Sequence, residues 1–414
     1  MANKFITVFE SPSPEDIYCY SPGICILDSG RIVATMDIGG PGVVALDGEK
    51  YIRGTSGASN QCRVFTSDDD GDTWIYRASF PMMHARPFVA GEKVYVIGHR
   101  GDIAISCSED NGDSWGDTVS LSKGEHWHGA PCNVAYADGR IYLAMEINTQ
   151  PDFVYWPVSK LAPVVLSAKL SDDLCDRESW SFSDIHSFDQ MVEIPELFGM
   201  PFYKTGQTAP GQCVDGRGMY PSGWLETNIV QIVDPDNLLY DPEGKTFHLF
   251  LRLHTGATNT ACMLKAEEDE DGNIKVGFEK APSGRDMLFV PFPGGHNKFH
   301  IVYDEVTKLY WMCSSLSRDS MTSPEKLSSE RFNLPNNERD KLALYFSKNC
   351  IDWCMAGLIC KGDSPKESRN YASLAIKGDN LLVLSRSGDS RAKSAHNGNL
   401  ITFHKIKNFR NLVY

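Results

Sequence analysis

Long apolar runs are absent from this sequence: nothing approaches the roughly 18 residues that a membrane span needs, and no membrane partner is expected. Sustained helical periodicity is absent too, which argues against a helical bundle. Positive charge is short, with 40 Lys and Arg against 54 Asp and Glu for a net charge of −14. No basic stripe is available to neutralise phosphates, which argues against a nucleic-acid partner. A few local arginines can still capture one carboxylate, so an anionic sugar stays open as a ligand. The 12 cysteines form no CxxC pairs, and the start, MANKFITVFE, lacks a basic segment followed by an apolar one. Reduced thiols and a cytoplasmic location are the expectation. His126 and His128 fall on alternate sides of the chain and no His/Asp triple has ligand-like spacing. Neither a metal nor another cofactor is expected, and Cys350, Cys354 and Cys360 read as small buried apolar residues.

What the sequence does hold is repetition. SDDDGDTW, Ser67 to Trp74, returns as SEDNGDSW, Ser108 to Trp115. Both read Ser-x-Asp-x-Gly-x-(Thr/Ser)-Trp, and a worn copy, SKNCIDW, runs from Ser347 to Trp353 without the Gly. Asp and Ser side chains tie down the backbone of a tight turn, Gly supplies φ > 0, and Trp plugs the apolar layer beneath. Around these turns, short runs rich in Val, Ile, Tyr and Phe alternate with Gly, Asp, Asn and Pro about every 8–12 residues, an all-β signal. The grammar of strand, turn, strand, turn, strand repeats six times, from ICILDSGRIVATMD to YASLAIKGDNLLVLSRSGD. This predicts one domain over residues 1–414, a six-bladed β-propeller of four-stranded antiparallel sheets, with a seventh blade possible in the middle insertion. KFITVFE is expected to complete the last blade, so that both chain ends close the ring. Residues 181–223 form a long Gly- and Pro-rich insertion, read as a flap over the central mouth. Residues 319–340 form a second, polar one that reads as solvated.

In a propeller the innermost strands converge, so the residues that open them meet at one mouth. In chain order these are Tyr20 and Ser21, His84 and Arg86, His128, Glu226 and Asn228, His296 and Lys298, and Arg369 to Tyr371. Each taken alone reads equally well as a hydrogen-bonded channel residue; gathered, they predict a functional pocket.

The repeated turns resemble the Asp-box turns of the sialidase superfamily, which lie between the third and fourth strands of its propeller blades. The resemblance places the family's blade-four glutamate on Glu226 in LETNIVQIV. Its substrate arginines fall on Arg252 in GKTFHLFLRL and Arg339 in RDKLALYFS, and its nucleophilic tyrosine on Tyr371 in NYASL. It implies that Tyr371 passes its proton to Glu226 and attacks the anomeric carbon, while arginines grip a sugar carboxylate. Two departures stand out. Ser21 in CYSPGI occupies the place of the family's leading arginine. The segment TSGASNQCRVFTS before the first repeat has no Asp, leaving Asp47 as the nearest acid/base candidate. MMHARPF and EHWHGAP bring His84 and His128 instead, and imidazole can exchange protons near neutral pH.

The expected partner is an oligosaccharide or glycoconjugate bearing an acidic sugar. The expected activity is exo-acting, sialidase-like cleavage of a terminal glycosidic bond with Tyr371, Glu226, His84, His128 and Asp47 as catalytic residues. Arg86, Arg252, Arg339, Arg369 and His296 are the expected substrate ligands. Two alternatives are a lyase that eliminates at a terminal uronate, with Arg86 and Arg252 neutralising the carboxylate, and a glycan-binding propeller without chemistry.

Overall fold

The computed structural model describes residues 4–53, 57–193, 209–214, 217–256, 258–331, 334 and 337–414. They build six antiparallel blades. Blade 1 runs from the innermost strand Tyr18–Ile26 through Ile32–Gly39 and Ala58–Ser67 to Ile75–Phe80. Blade 2 comprises Met83–Ala90, Lys93–Arg100, Asp102–Ser108 and Val119–Ser120. In blade 3 the innermost strand is broken into Trp127–His128 and Ala135–Ala137, followed by Arg140–Asn148, Leu161–Lys169 and Trp180–Phe182. Blade 4 comprises Gly223–Val230, Thr246–His254, Thr260–Glu268 and Ile274–Gly277; blade 5, His300–Asp304, Leu309–Ser315, Lys341–Ser347 and Cys354–Lys361. Blade 6 comprises Arg369–Lys377, Asn380–Ser387, Leu400–Lys407 and, as its outer strand, Ile6–Glu10 from the start of the chain. The ring is therefore closed by both chain ends, and the middle insertion adds no seventh blade among the described residues.

The apolar pattern explains the stacking. Each second strand is buried on both faces, so it reads as a continuous apolar run whose alternate residues serve opposite neighbours. In blade 6, Leu382 and Leu384 enter the layer shared with blade 1, while Leu381 and Val383 enter the layer shared with blade 5. In blade 2, Val94 and Val96 pack toward blade 1, and Tyr95 and Ile97 toward blade 3. The core is thus six inter-blade layers arranged around an axis.

Polar groups tie the innermost strands to one another. Thr35 Oγ1 donates to Ala85 O at 2.6 Å, and Arg86 Nη2 donates to Ala130 O and Ala144 O, each at 2.8 Å. Asn133 exchanges two hydrogen bonds with the Ile229 backbone, and Asn228 Oδ1 accepts from Ile301 N. Lys298 Nζ donates to Ala372 O, and Ser373 Oγ lies 2.7 Å from Pro22 O and 2.8 Å from Pro131 O. A Cβ on Gly23 would sit 2.5 Å from Pro87 Cδ and 2.9 Å from Pro131 Cβ. The axis is therefore closed by packed side chains at this level.

The repeated turns are built as their residue types predict. Ser67 Oγ accepts from Gly71 N, Asp69 Oδ1 accepts from Thr73 N, and Trp74 Nε1 donates to Gly71 O. Ser108, Asp110, Gly112, Ser114 and Trp115 reproduce the same bonds. In the worn copy, Cys350 takes the glycine position at φ 59° and accepts from Trp353 Nε1. Within the first insertion, residues 194–208 of the expected flap lie outside the described residues. The flanking hairpin, Gly211–Val214 with Arg217–Met219, lies against the 3-10 helix Pro324–Lys326 of the second insertion. That second insertion is not merely solvated: it is pinned around buried Glu338, which accepts from Ser317 Oγ, Arg318 N and Asp319 N.

The two glycines of the repeats differ in surroundings. A Cβ on Gly71 (φ 90°) would lie 2.1 Å from the Phe403 ring, whereas one on Gly112 (φ 86°) would meet nothing closer than 3.4 Å. Gly71→Ala is expected to cost about 2–4 kcal/mol, from backbone strain plus overpacking, and Gly112→Ala only the strain of about 1 kcal/mol. Urea unfolding of the two variants checks this, and equal losses would contradict it.

Candidate functional site

Four of the innermost strands carry the same irregularity at the mouth. Register slips between Tyr20 and Gly23, Met83 and Arg86, Leu225 and Asn228, and Asn370 and Ser373. In each slip one non-glycine residue sits at positive φ: Ser21 at 40°, His84 at 54°, Glu226 at 61° and Tyr371 at 56°. Left-handed backbone at such residues costs on the order of 1 kcal/mol or more each. A bulge re-aims the side chain that carries it. Four equivalent bulges turn four side chains toward one centre.

The residue across from each bulge, on the second strand, is ionisable in every case. Tyr20 pairs with Asp37, Met83 with His99, Leu225 with Arg252 and Asn370 with Arg386. Blade 3 has no positive-φ residue here, yet it pairs His128 directly with Glu146. Blade 5 contributes His296 and Arg339 from the segments that lead into its strands. Of these groups, Asp37, His99, Glu146 and Arg386 escape a reading of strand openings alone. Strand register could have found them, since each lies at the end of the second strand where its carboxylate, imidazole or guanidinium interrupts an apolar run.

The blade 4 to 6 side of the mouth is rich in guanidinium groups. Arg252 Nη1 lies 3.2 Å from both carboxylate oxygens of buried Glu226, and its Nε donates to His296 O at 2.9 Å. Arg339 Nε donates to Asn337 Oδ1, and its buried Nη1 has no partner among the described residues. Arg386 donates from Nε and Nη2 to Asn370 Oδ1, and its guanidinium lies 4.0 Å from the centre of the Tyr371 ring. Burial, reinforced by Arg386 and Arg252, holds Arg339 well below the usual arginine range; burial likewise brings Arg386 down to about 10. Three guanidinium groups beside a single carboxylate leave a surplus of positive charge. Arg386 is a third guanidinium at the mouth, contributed by blade 6. His296, pushed down to about 3 by burial and by Arg252, stays neutral, with Nδ1 accepting from Asn259 N.

Imidazoles and carboxylates occupy the blade 1 to 3 side. His84 Nδ1 lies 2.9 Å from His99 Nε2, and the His84 ring centre is 5.0 Å from that of His128. Burial, then the neighbouring imidazoles, keeps His84 neutral and brings His99 down to about 3. His128 Nδ1 lies 3.0 Å from Glu146 Oε2. Asp37 Oδ2 accepts from His84 N at 2.8 Å, while Oδ1 is buried with no partner among the described residues. Burial pushes the Asp37 carboxyl up to about 7, against the lowering pull of the His84 and Ala85 amides, Ser21 and Arg386.

Three sequence expectations need correction. Arg86 is buried and spends its guanidinium on the carbonyls of blade 3, so it joins blades and does not line the mouth. Arg369 is also buried, donating to Ser368 O and Gly388 O beneath the Phe5 ring. Asp47 lies on an exposed loop where its carbonyl accepts from Gln61 Nε2; the carboxylate that blade 1 brings to the bulges is Asp37. No group of three His, Cys, Asp or Glu among the described residues is arranged to hold a metal ion. On the mouth side of blades 2 and 3, a groove of about 430 Å³ is lined by Lys123, Glu125, Trp127, Arg177, Phe182 and Ile185, among others.

Fold and site together define a six-bladed propeller with a strained, ionisable mouth. No family model matches the chain, and no curated protein matches it in sequence. Among solved structures it is similar to an α-L-arabinanase of Penicillium chrysogenum complexed with arabinobiose, at 12% identity, 99% coverage of both chains and a TM-score of 0.51. It is also similar to Trypanosoma rangeli sialidase in complex with the inhibitor DANA, at 16% identity and a TM-score of 0.55, over 99% of this chain but 60% of that one. A Hadza microbial sialidase matches at 13% identity and a TM-score of 0.54, over 97% of this chain and 68% of the other. At such identities the likeness is one of fold.

Asp37 gives the site a signature in stability. Its folded carboxyl binds a proton more tightly than the ordinary value of 3.8, so its contribution to stability falls as pH rises from 3.8 to about 7 and levels off above. Asp37→Asn removes that fall. The melting temperature of the variant relative to wild type is expected to climb across this window and then plateau; a flat difference from pH 4 to 8 would contradict a protonated Asp37.

Proposed function

We propose that this chain is a carbohydrate-active enzyme that cleaves a terminal glycosidic bond at an acidic sugar, by hydrolysis. The observation that carries this reading is the arginine group Arg252, Arg339 and Arg386 around Glu226, with a buried Arg339 Nη1 left without a partner. Planar, permanently charged forks recognise a carboxylate through paired hydrogen bonds, and an orphaned buried donor costs stability unless a ligand meets it. Tyr371 is the nucleophile in this reading, aimed by its bulge and capped by Arg386, whose charge favours a developing phenolate. Glu226 receives the phenol proton. The remainder of the glycan lies across the rim, where the groove beside Trp127 and Phe182 offers apolar faces and charged edges.

A second reading has its own support. The imidazoles of His84 and His128, 5.0 Å apart between ring centres, and the arginine group on the opposite side of the mouth are the parts a uronate lyase uses to remove a proton next to a neutralised carboxylate. A panel of sialosides and uronate-terminated oligosaccharides, analysed by mass and ultraviolet absorbance, separates the outcomes. A reducing sugar without new absorbance means hydrolysis, an unsaturated uronate means elimination, and binding without turnover means a glycan-binding propeller.

Tyr371→Phe is expected to lower kcat on the order of 10³-fold or more with an unchanged melting temperature. Wild-type rates in that variant remove the nucleophile assignment. Arg339→Lys, which keeps charge but not the fork, is expected to raise KM by about 10-fold or more for acidic substrates. An unchanged KM would take Arg339 out of the carboxylate site.

A further inference from the structure

We infer that Glu146 is a positioning residue that fixes the tautomer of His128 and makes the His128 Nε2 the proton-transfer atom of the mouth. This rests on the reading of the mouth as a site of glycosidic-bond cleavage, and supplies the acid/base that the sequence around Asp47 does not.

Glu146 is fully buried, and all its visible bonds point at the site. Its Oε2 lies 3.0 Å from His128 Nδ1, while its Oε1 accepts from Thr227 N at 2.9 Å and from Thr227 Oγ1 at 2.7 Å. Both Thr227 donors reach Oε1, so Oε2 is the oxygen that faces His128; with Nδ1–H donating to it, Nε2 is left for a substrate. The same carboxylate supplies the counter-charge for an imidazolium at His128. Thr227 follows Glu226 in the blade 4 bulge, so one buried group sets both the imidazole of blade 3 and the backbone that aims Glu226.

His84 is differently placed. Its Nδ1 is engaged with His99 Nε2, and among the described residues its one carboxylate bond is through the backbone N to Asp37. The groups facing His128 are Glu146 on its own sheet and the His84 and His99 rings of blade 2, at 5.0 and 6.3 Å between ring centres. Of the three imidazoles on the blade 1 to 3 side of the mouth, His128 is the one whose ring nitrogen faces a carboxylate.

The proton balance closes. With His128 entering as the imidazolium, the Tyr371 oxygen bonds to the anomeric carbon as its proton passes to Glu226. The bond from that carbon to the leaving oxygen breaks, and the leaving oxygen keeps the electron pair and takes the Nε2 proton, which leaves His128 in the Nδ1–H form. Water then delivers hydroxide to the anomeric carbon, displacing Tyr371, and its proton to Nε2. The phenolate recovers its proton from Glu226, and the net change is one water added across the bond.

Glu146→Gln tests this, because its amide oxygen can keep both Thr227 bonds while its NH2 opposes Nδ1–H. The expected result is loss of kcat/KM by about 10²-fold with the melting temperature retained, and a shift in the ionisation that governs the pH–rate profile. In a His128→Asn background the same change is expected to cost nothing further. Imidazole nitrogen NMR of the wild type is expected to show His128 as the Nδ1–H tautomer, switching in Glu146→Gln. A wild-type Nε2–H tautomer, or an equal rate loss with and without His128, overturns the inference while leaving the cleavage reading intact. Absence of turnover by the wild type on every acidic glycoside tested overturns that reading, and the proton-transfer role with it.

Discussion

A propeller must hold the innermost strand of each blade against its neighbours while leaving the top of that strand free to face a ligand. Here two buried carboxylates reconcile these demands. Asp37 of blade 1 accepts from the backbone N of His84 in the blade 2 bulge, and Glu146 of blade 3 accepts from the backbone N of Thr227 in the blade 4 bulge. A bulge frees amides that a regular ladder would have paired, and an unpaired buried amide is costly. Placing a carboxylate at the mouth end of the preceding blade's second strand satisfies those amides, so strained backbone persists where side chains must be aimed.

The arrangement divides the mouth into halves of different chemistry. Blades 4 to 6 gather Arg252, Arg339 and Arg386 around Glu226 and Tyr371, a surplus of fixed positive charge. Blades 1 to 3 gather the imidazoles of His84, His99 and His128 with the carboxyl groups of Asp37 and Glu146. An anionic sugar placed across the mouth would have its carboxylate on one side and its bond to the rest of the glycan toward the other. The packing of Gly23, Pro131, Lys298 and Ser373 prevents the axis from becoming a channel at this level.

Much of the architecture was legible in the chain. Six rounds of strand and turn, the Trp-plugged repeats and the closing strand Ile6–Glu10 all follow from local chemistry: φ > 0 at Gly71 and Gly112, side-chain acceptors at Asp69 and Asp110, and apolar runs buried on both faces. Tyr371, Glu226, His84 and His128 were legible as residues opening innermost strands. Arg86 and Arg369 misled because they occupy equivalent openings, and only the direction of the side chain separates a guanidinium that joins blades from one that faces the mouth.

The sequence by itself determined six strand-and-turn units, their turns and the residues that open the innermost strands, because these depend on neighbours a few positions away. Tertiary structure alone decided which second-strand residue stands beside each bulge and which blade answers the next. Asp37 with His84, Glu146 with Thr227, and Arg386 with Tyr371 are pairs made by sheet register and ring closure across 15 to 81 positions of chain. Those separations carry no local signal, since it is the packing of six sheets around one axis that brings the groups within a hydrogen bond or a ring contact of one another.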